Sequence, residues 1–158
     1  MLTQPGDPLY PVKIGWENLR LQLAVTDDAR ASASAELASR RTEEIAEMAA
    51  EGRTRYQEAV DRLSNHTADA VSRLQQEAPP EDLGQRMLEI TQRQQQVLAT
   101  VAASAPPAAQ PALQHALEVA RQGHSKAQAA LERAQDRKNT PERGRENPQE
   151  QQADRRNR

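Results

Sequence analysis

The chain has no cysteine, no phenylalanine, one tryptophan and two tyrosines among its 158 residues. Without cysteine there is no disulfide framework, no zinc-thiolate site and no thiol nucleophile. Large core-forming side chains are scarce as well. Leu, Ile and Val together number 24 of 158, about 15%. Sheets need Val, Ile and aromatics in quantity, so the composition argues against a β-sandwich or an α/β sheet. No stretch of about 18 apolar residues exists, so no helix in the chain spans a membrane. No basic residue precedes an apolar stretch at the N-terminus, so no secretory signal is expected there. A net charge of −2 lacks the one-signed field that would draw nucleic acid or an acidic partner to the whole surface. So few core formers would point to disorder, but that reading also requires a high net charge, which is missing.

What is present points to helices. Ala, Glu, Lys, Leu and Arg make up 77 of the 158 residues, a composition typical of long helices when a helical period accompanies it. The period is there. After a turn at Pro5-Gly6-Asp7-Pro8, the spacing of Leu9, Val12, Trp16, Leu19 and Leu23 predicts a first, short helix with one apolar stripe. Thr26 with Asp27 and Asp28 marks a helix start. The stripe that follows is Ala31, Ala35, Ala38, Thr42, Ile45 and Ala49, and Gly52 either caps or interrupts it. A third stripe runs Tyr56, Val60, Leu63, Thr67, Ala70, Leu74 and stops before Pro79-Pro80. A fourth runs Leu83, Met87, Ile90, Gln94, Val97, Val101 and stops at Pro106-Pro107. The fifth runs Leu113, Leu117, Ala120, His124, Ala127, Leu131, Ala134 in a heptad rhythm.

The expected fold is all-α: an elongated antiparallel bundle of four long helices plus a short N-terminal helix. Residues 1–8 form a leader turn and residues 9–134 the bundle. Residues 135–158 form a charged, disordered tail with no Leu, Ile, Val, Met or aromatic residue, too poor in apolar surface to offset chain entropy. Each long stripe has one polar residue near its middle. Midpoints fall at similar heights in an antiparallel bundle, so Thr42, Thr67, Gln94 and His124 are candidates for a buried polar layer.

The leader Pro5-Gly6-Asp7-Pro8-Leu9-Tyr10-Pro11-Val12-Lys13 resembles the start of a bacterial domain family of unknown function, DUF5667. A helix follows, then the segment Ala35-Glu36-Leu37-Ala38-Ser39-Arg40-Arg41-Thr42-Glu43-Glu44-Ile45, with Gly52 just beyond. The resemblance covers about residues 5–75. It implies an extracytoplasmic helical module with no established activity, often placed after a single membrane-spanning segment and sometimes after an anti-sigma-factor region. In that pattern Arg40, Arg41, Glu43 and Glu44 read as surface residues. Tyr10 and Lys13 are the candidates for a partner contact.

The chemistry-bearing residues form no recognisable constellation. His66, His115 and His124 make no His-x-x-x-His or Glu-x-x-His pair, so no metal site is expected. There is no phosphate loop, nucleophile elbow or triad pattern. No catalytic residue and no cofactor is expected, and the chain reads as non-enzymatic. The arginines of the tail alternate with acids and lack aromatics for base stacking, which argues against nucleic acid. The expected role is a binding or scaffolding module of the bacterial cell envelope, acting through helix-face association with a protein partner or with itself. The rivals are the sensing region of an anti-sigma-type protein and a periplasmic helical chaperone or metal-stress protein.

Overall fold

The computed structural model describes residues 7–53, 56–76 and 79–139, the side chain of Glu81 excepted. These residues form α1 (Tyr10–Leu23), α2 (Asp27–Ala50), α3 (Gln57–Leu74), α4 (Glu81–Ser104) and α5 (Gln110–Asn139), with a 3₁₀ turn at Pro107–Ala109. Among the described residues there is no strand. The fold is the expected all-α bundle. Pro5 and Gly6 of the leader turn, and the tail from residue 140, lie outside the described residues. Residues 135–139 continue α5.

The helix ends follow local chemistry. Thr26 caps α2 by accepting the Ala29 N–H at 3.1 Å, and Asp27 and Asp28 place negative charge on the positive end of the helix dipole. At its other end Gly52 adopts φ 69°. The Gly52 N–H donates to Ala49 O at 3.1 Å and the Arg53 N–H to Met48 O at 2.9 Å. That double bond pattern is the Schellman motif, so Gly52 ends the helix and does not merely interrupt it. Pro11 sits at the start of α1, where its missing N–H has no helical partner to lose. Gln110 closes the tip between α4 and α5: its side-chain amide donates to Ala102 O at 2.7 Å and to Ala105 O at 3.1 Å, satisfying carbonyls that the helix end leaves free.

The four long helices are two antiparallel hairpins. Arg73 Nε donates to Asp28 Oδ1 at 2.5 Å, joining the end of α3 to the start of α2. Thr91 Oγ1 meets His124 Nδ1 at 3.1 Å, and Gly84 lies against Leu131, so α4 and α5 also run in opposite directions. Between the hairpins the neighbours run parallel. Arg93 Nε reaches Glu43 at 3.1 Å from α4 to α2, and Arg133 Nη2 reaches Leu74 O at 3.2 Å from α5 to α3. The core divides into two apolar clusters. One holds Ile45, Met48, Leu63, Leu98 and Leu113, and the other holds Leu74, Leu83, Met87, Ala127 and Ala130.

The buried spine of α5 is Leu113, Ala116, Ala120, Gly123, Ala127 and Ala130. This differs from the expected heptad, because Leu117, His124 and Leu131 stand half-buried at its flank. The reason is steric. A Cβ on Gly123 would come within 3.1 Å of Thr91 Cγ2 and 3.2 Å of Val71 Cγ2, so the neighbouring helices are close enough that only small side chains fit at the contact line. The larger side chains fill the grooves on either side.

The largest departure from the sequence reading is α1. It packs on α2, outside the four-helix body. Its expected core stripe faces away from the protein: Leu9, Val12, Trp16, Leu19 and Leu23 are all exposed. The buried residues of α1 are Tyr10, Ile14 and Glu17.

Candidate functional site

The inner face of α1 meets a second face of α2. On α2 the sequence spaces Leu37, Arg41, Glu44 and Met48 by four, three and four residues, a helical stripe beside the alanine one, and all four are fully buried. Two of them are charged. The Arg41 guanidinium donates from Nη2 to Glu17 Oε2 of α1 and from Nη1 to Glu44 Oε2 of its own helix. Lys13 Nζ of α1 pairs with the other oxygen of Glu44. Two cations and two carboxylates thus close a compact, charge-balanced cluster. The Tyr10 ring roofs it, with the Arg41 guanidinium 5.8 Å and the Lys13 ammonium 5.9 Å from the ring centroid, within reach of a cation–π attraction.

This arrangement corrects the sequence reading at Arg41 and Glu44, which are not surface residues. Charges survive burial only when each is paired, and here each is; their neighbours Arg40 and Glu43 do face solvent, where they pair with Glu36 and Arg93 respectively. Tyr10 and Lys13, the candidates for a partner contact, lie on the inner side of α1, towards α2. Tyr10 is 4% exposed and Lys13 is half-buried, and both contribute contacts between α1 and α2. Sequence reasoning passed over Glu17. Its spacing from Tyr10 and Ile14 marks it as sharing their face, but a carboxylate in a buried position is rare enough to be read as solvated.

The electrostatics follow from burial. Desolvation pushes the Tyr10 hydroxyl up, with Arg41 opposing. Desolvation lowers the Lys13 ammonium, and the nearby Arg41 charge lowers it further. His66 of α3 is buried, and desolvation, then the repulsion of Arg41, hold its imidazole down at about 4. Satisfaction is incomplete. Tyr10 Oη, Glu17 Oε1, Arg41 Nε and His66 Nδ1 are buried without a hydrogen-bond partner, and each such atom carries a desolvation cost.

The residues flagged at the stripe midpoints are brought together only in part. Gln94 Nε2 donates to Thr67 Oγ1 at 2.9 Å. His124 bonds Thr91, one turn from Gln94 on α4. These residues lie between the two apolar clusters, with Gly123 against both Thr67 and Thr91. Thr42 bonds back to Ala38 O at 2.9 Å, within its own helix. It falls inside the first apolar cluster, between Ala38 and Ile45.

A family model described as "Domain of unknown function (DUF5667)" matches residues 3–108. The chain belongs to the DUF5667 family. No curated protein and no solved structure matches it. The DUF5667 match contains α1, α2 and the whole ion cluster between them, together with α3 and α4; α5 lies beyond it. Among the described residues of this DUF5667 protein, no helix is long and apolar enough to cross a membrane.

The other side of the same helix is the candidate site. Leu9, Val12, Trp16, Leu19 and Leu23 are between 43% and 69% exposed, and Val25 beyond the helix end is more exposed still. Trp16 and Leu23, with Leu37 and Arg40 of α2, line a shallow groove along the edge of α1. Monomeric proteins rarely leave so continuous an apolar face to water unless it meets something. The ion cluster gives that face its orientation. With Tyr10, Lys13, Ile14 and Glu17 held inward, the opposite stripe has to point outward.

Proposed function

We propose that this chain is a non-enzymatic binding module of the bacterial cell envelope, and that its working surface is the outward face of α1. The observation that carries this reading is a five-residue apolar stripe with helical spacing that stays largely exposed among the described residues. A sequence with only 24 Leu, Ile and Val residues in 158 leaves four Leu and Val on that stripe, with its single tryptophan at the centre. Tryptophan gives a large contact area for little lost side-chain freedom, which is why it concentrates at the energetic centres of interfaces. The envelope location rests on the family resemblance, and the helix-face mode rests on the stripe.

The test places a photo-reactive amino acid at position 19 of the intact chain, and at exposed Gln92 on α4 as a control, in cells producing it. The expected result is one adduct of discrete mass from position 19 that Trp16→Glu removes, with none from position 92. Equal labelling from the two positions would overturn the reading.

A further inference from the structure

Resting on that reading, we infer that the occupant of the α1 face is the α1 face of a second copy, paired antiparallel about a two-fold axis through Trp16. The stripe is nearly its own mirror along the helix. Leu9 and Leu23 stand seven residues either side of Trp16, Val12 four before it and Leu19 three after it. Antiparallel self-pairing therefore sets Leu9 against Leu23, Val12 against Leu19 and Trp16 against Trp16. A two-fold contact requires this kind of self-complementarity, since each patch must fit a copy of itself.

The area agrees. Five side chains exposed to this degree present on the order of 600 Å², the upper end of what a monomer leaves bare. Two such faces bury on the order of 1,200 Å² together, where stable specific interfaces begin. Charge does not oppose the pairing. The stripe has no ionisable residue, and the cations at its edge are already bound within the chain, Arg20 to Glu36 at 2.6 Å and Lys13 to Glu44. Among the described residues, α1 lies on the outside of the bundle against α2, and its stripe is left exposed. Gly15 at the edge of the stripe has open space where a Cβ would stand.

The absence of cysteine makes the test clean. Full-length Leu9→Cys and Leu23→Cys chains are mixed and treated with a short bis-maleimide, and each is also treated alone. Sedimentation is run in parallel on the unaltered chain. The expected result is a dimer mass and a Leu9–Leu23 cross-link about tenfold stronger than either like pair. Trp16→Glu should raise the dimer dissociation constant about 30-fold or more, as for the loss of a central aromatic anchor. The helical melt of the dilute chain should be unchanged, because Trp16 is 69% exposed. Leu19→Glu repeats the test independently should Trp16→Glu prove insoluble. Dominant Leu9–Leu9 and Leu23–Leu23 products overturn the antiparallel axis. A chain that stays monomeric while position 19 yields an adduct of another mass, or while Trp16 emission shifts blue on phosphatidylglycerol vesicles, overturns the second copy and leaves the helix-face reading standing. A monomer with no adduct from position 19 sinks both.

Discussion

The two packed regions of this protein hold their helices together in opposite ways. Between α3, α4 and α5 the contact line is made of small residues, with Ala116, Ala120, Gly123, Ala127 and Ala130 letting the backbones close in. Between α1 and α2 the contact is made by two ion pairs, a guanidinium bridging two carboxylates and a tyrosine ring. The first gains from many dispersion contacts at short range, each small. The second gains little net energy, because desolvating four charges offsets most of their attraction, but it tolerates almost no alternative geometry. The difference suggests a division of labour. The alanine-lined body supplies stability, and the ion cluster fixes how α1 is turned.

Replacing Arg41 tests that division most severely. Arg41→Ala leaves Glu17 and Glu44 buried with one cation between them, and should cost about 3–5 kcal/mol. Hydrogen exchange should show α1 released first. The sharper experiment converts Lys13, Glu17, Arg41 and Glu44 together to Met or Leu. If the cluster serves orientation and not stability, that chain melts no lower than the original, while Trp16 emission broadens because α1 is no longer held in one rotation. A large drop in melting temperature for the fourfold variant would show the ion pairs to be stabilising in their own right.

Acid provides a second probe of the same region. His66 titrates near 6.5 when unfolded and is held at about 4 in the fold. Between these values the unfolded chain binds the extra proton, so stability rises with pH across the window. The contribution is complete above about pH 6.5 and is lost as pH falls towards 4, by roughly 3 kcal/mol in all. Arg41 and Arg62 oppose the protonation and Asp69 favours it. Thermal melts of the original chain and of His66→Gln from pH 7 to pH 4 should diverge, with the flatter curve belonging to the variant. Parallel curves would mean that the imidazole stays accessible to protons in the fold.

The sequence made the body of the fold readable because the α2, α3 and α4 stripes are covered by other helices. All six residues of the α3 stripe, from Tyr56 to Leu74, are buried. On α1 the same periodicity identified an apolar face correctly and assigned it the wrong neighbour. Period reports that a face exists, but whether its partner belongs to the same chain is a property of the whole assembly. The ion cluster was hidden for a different reason. Arg40-Arg41 and Glu43-Glu44 are adjacent pairs of like residues, and only the helix phase set by Leu37 and Met48 separates the buried member of each pair from the exposed one. On α5 the reading favoured the largest residues, Leu117 and Leu131, where close packing selects the smallest.

Two glycines carry the comparison down to a single methyl group. Gly123→Ala pushes a Cβ to within 3.1 Å of Thr91 Cγ2 and 3.2 Å of Val71 Cγ2, so two β-branched neighbours on different helices have to give way. β-branched side chains have little rotamer freedom with which to do so. The loss should be about 1 kcal/mol, even after the gain in helix propensity. Gly15→Ala meets no atom within 4 Å, so only the propensity gain remains, and α1 should be stabilised by about 0.5–1 kcal/mol. The same substitution thus has opposite signs on the tightest contact and on the open helix, measurable as a lower and a higher denaturant midpoint. If Gly15→Ala instead lowers the midpoint, and does so only at chain concentrations where the protein sediments as a dimer, the edge of the α1 stripe lies under the second copy. The pairing is then tighter than the five large side chains alone require.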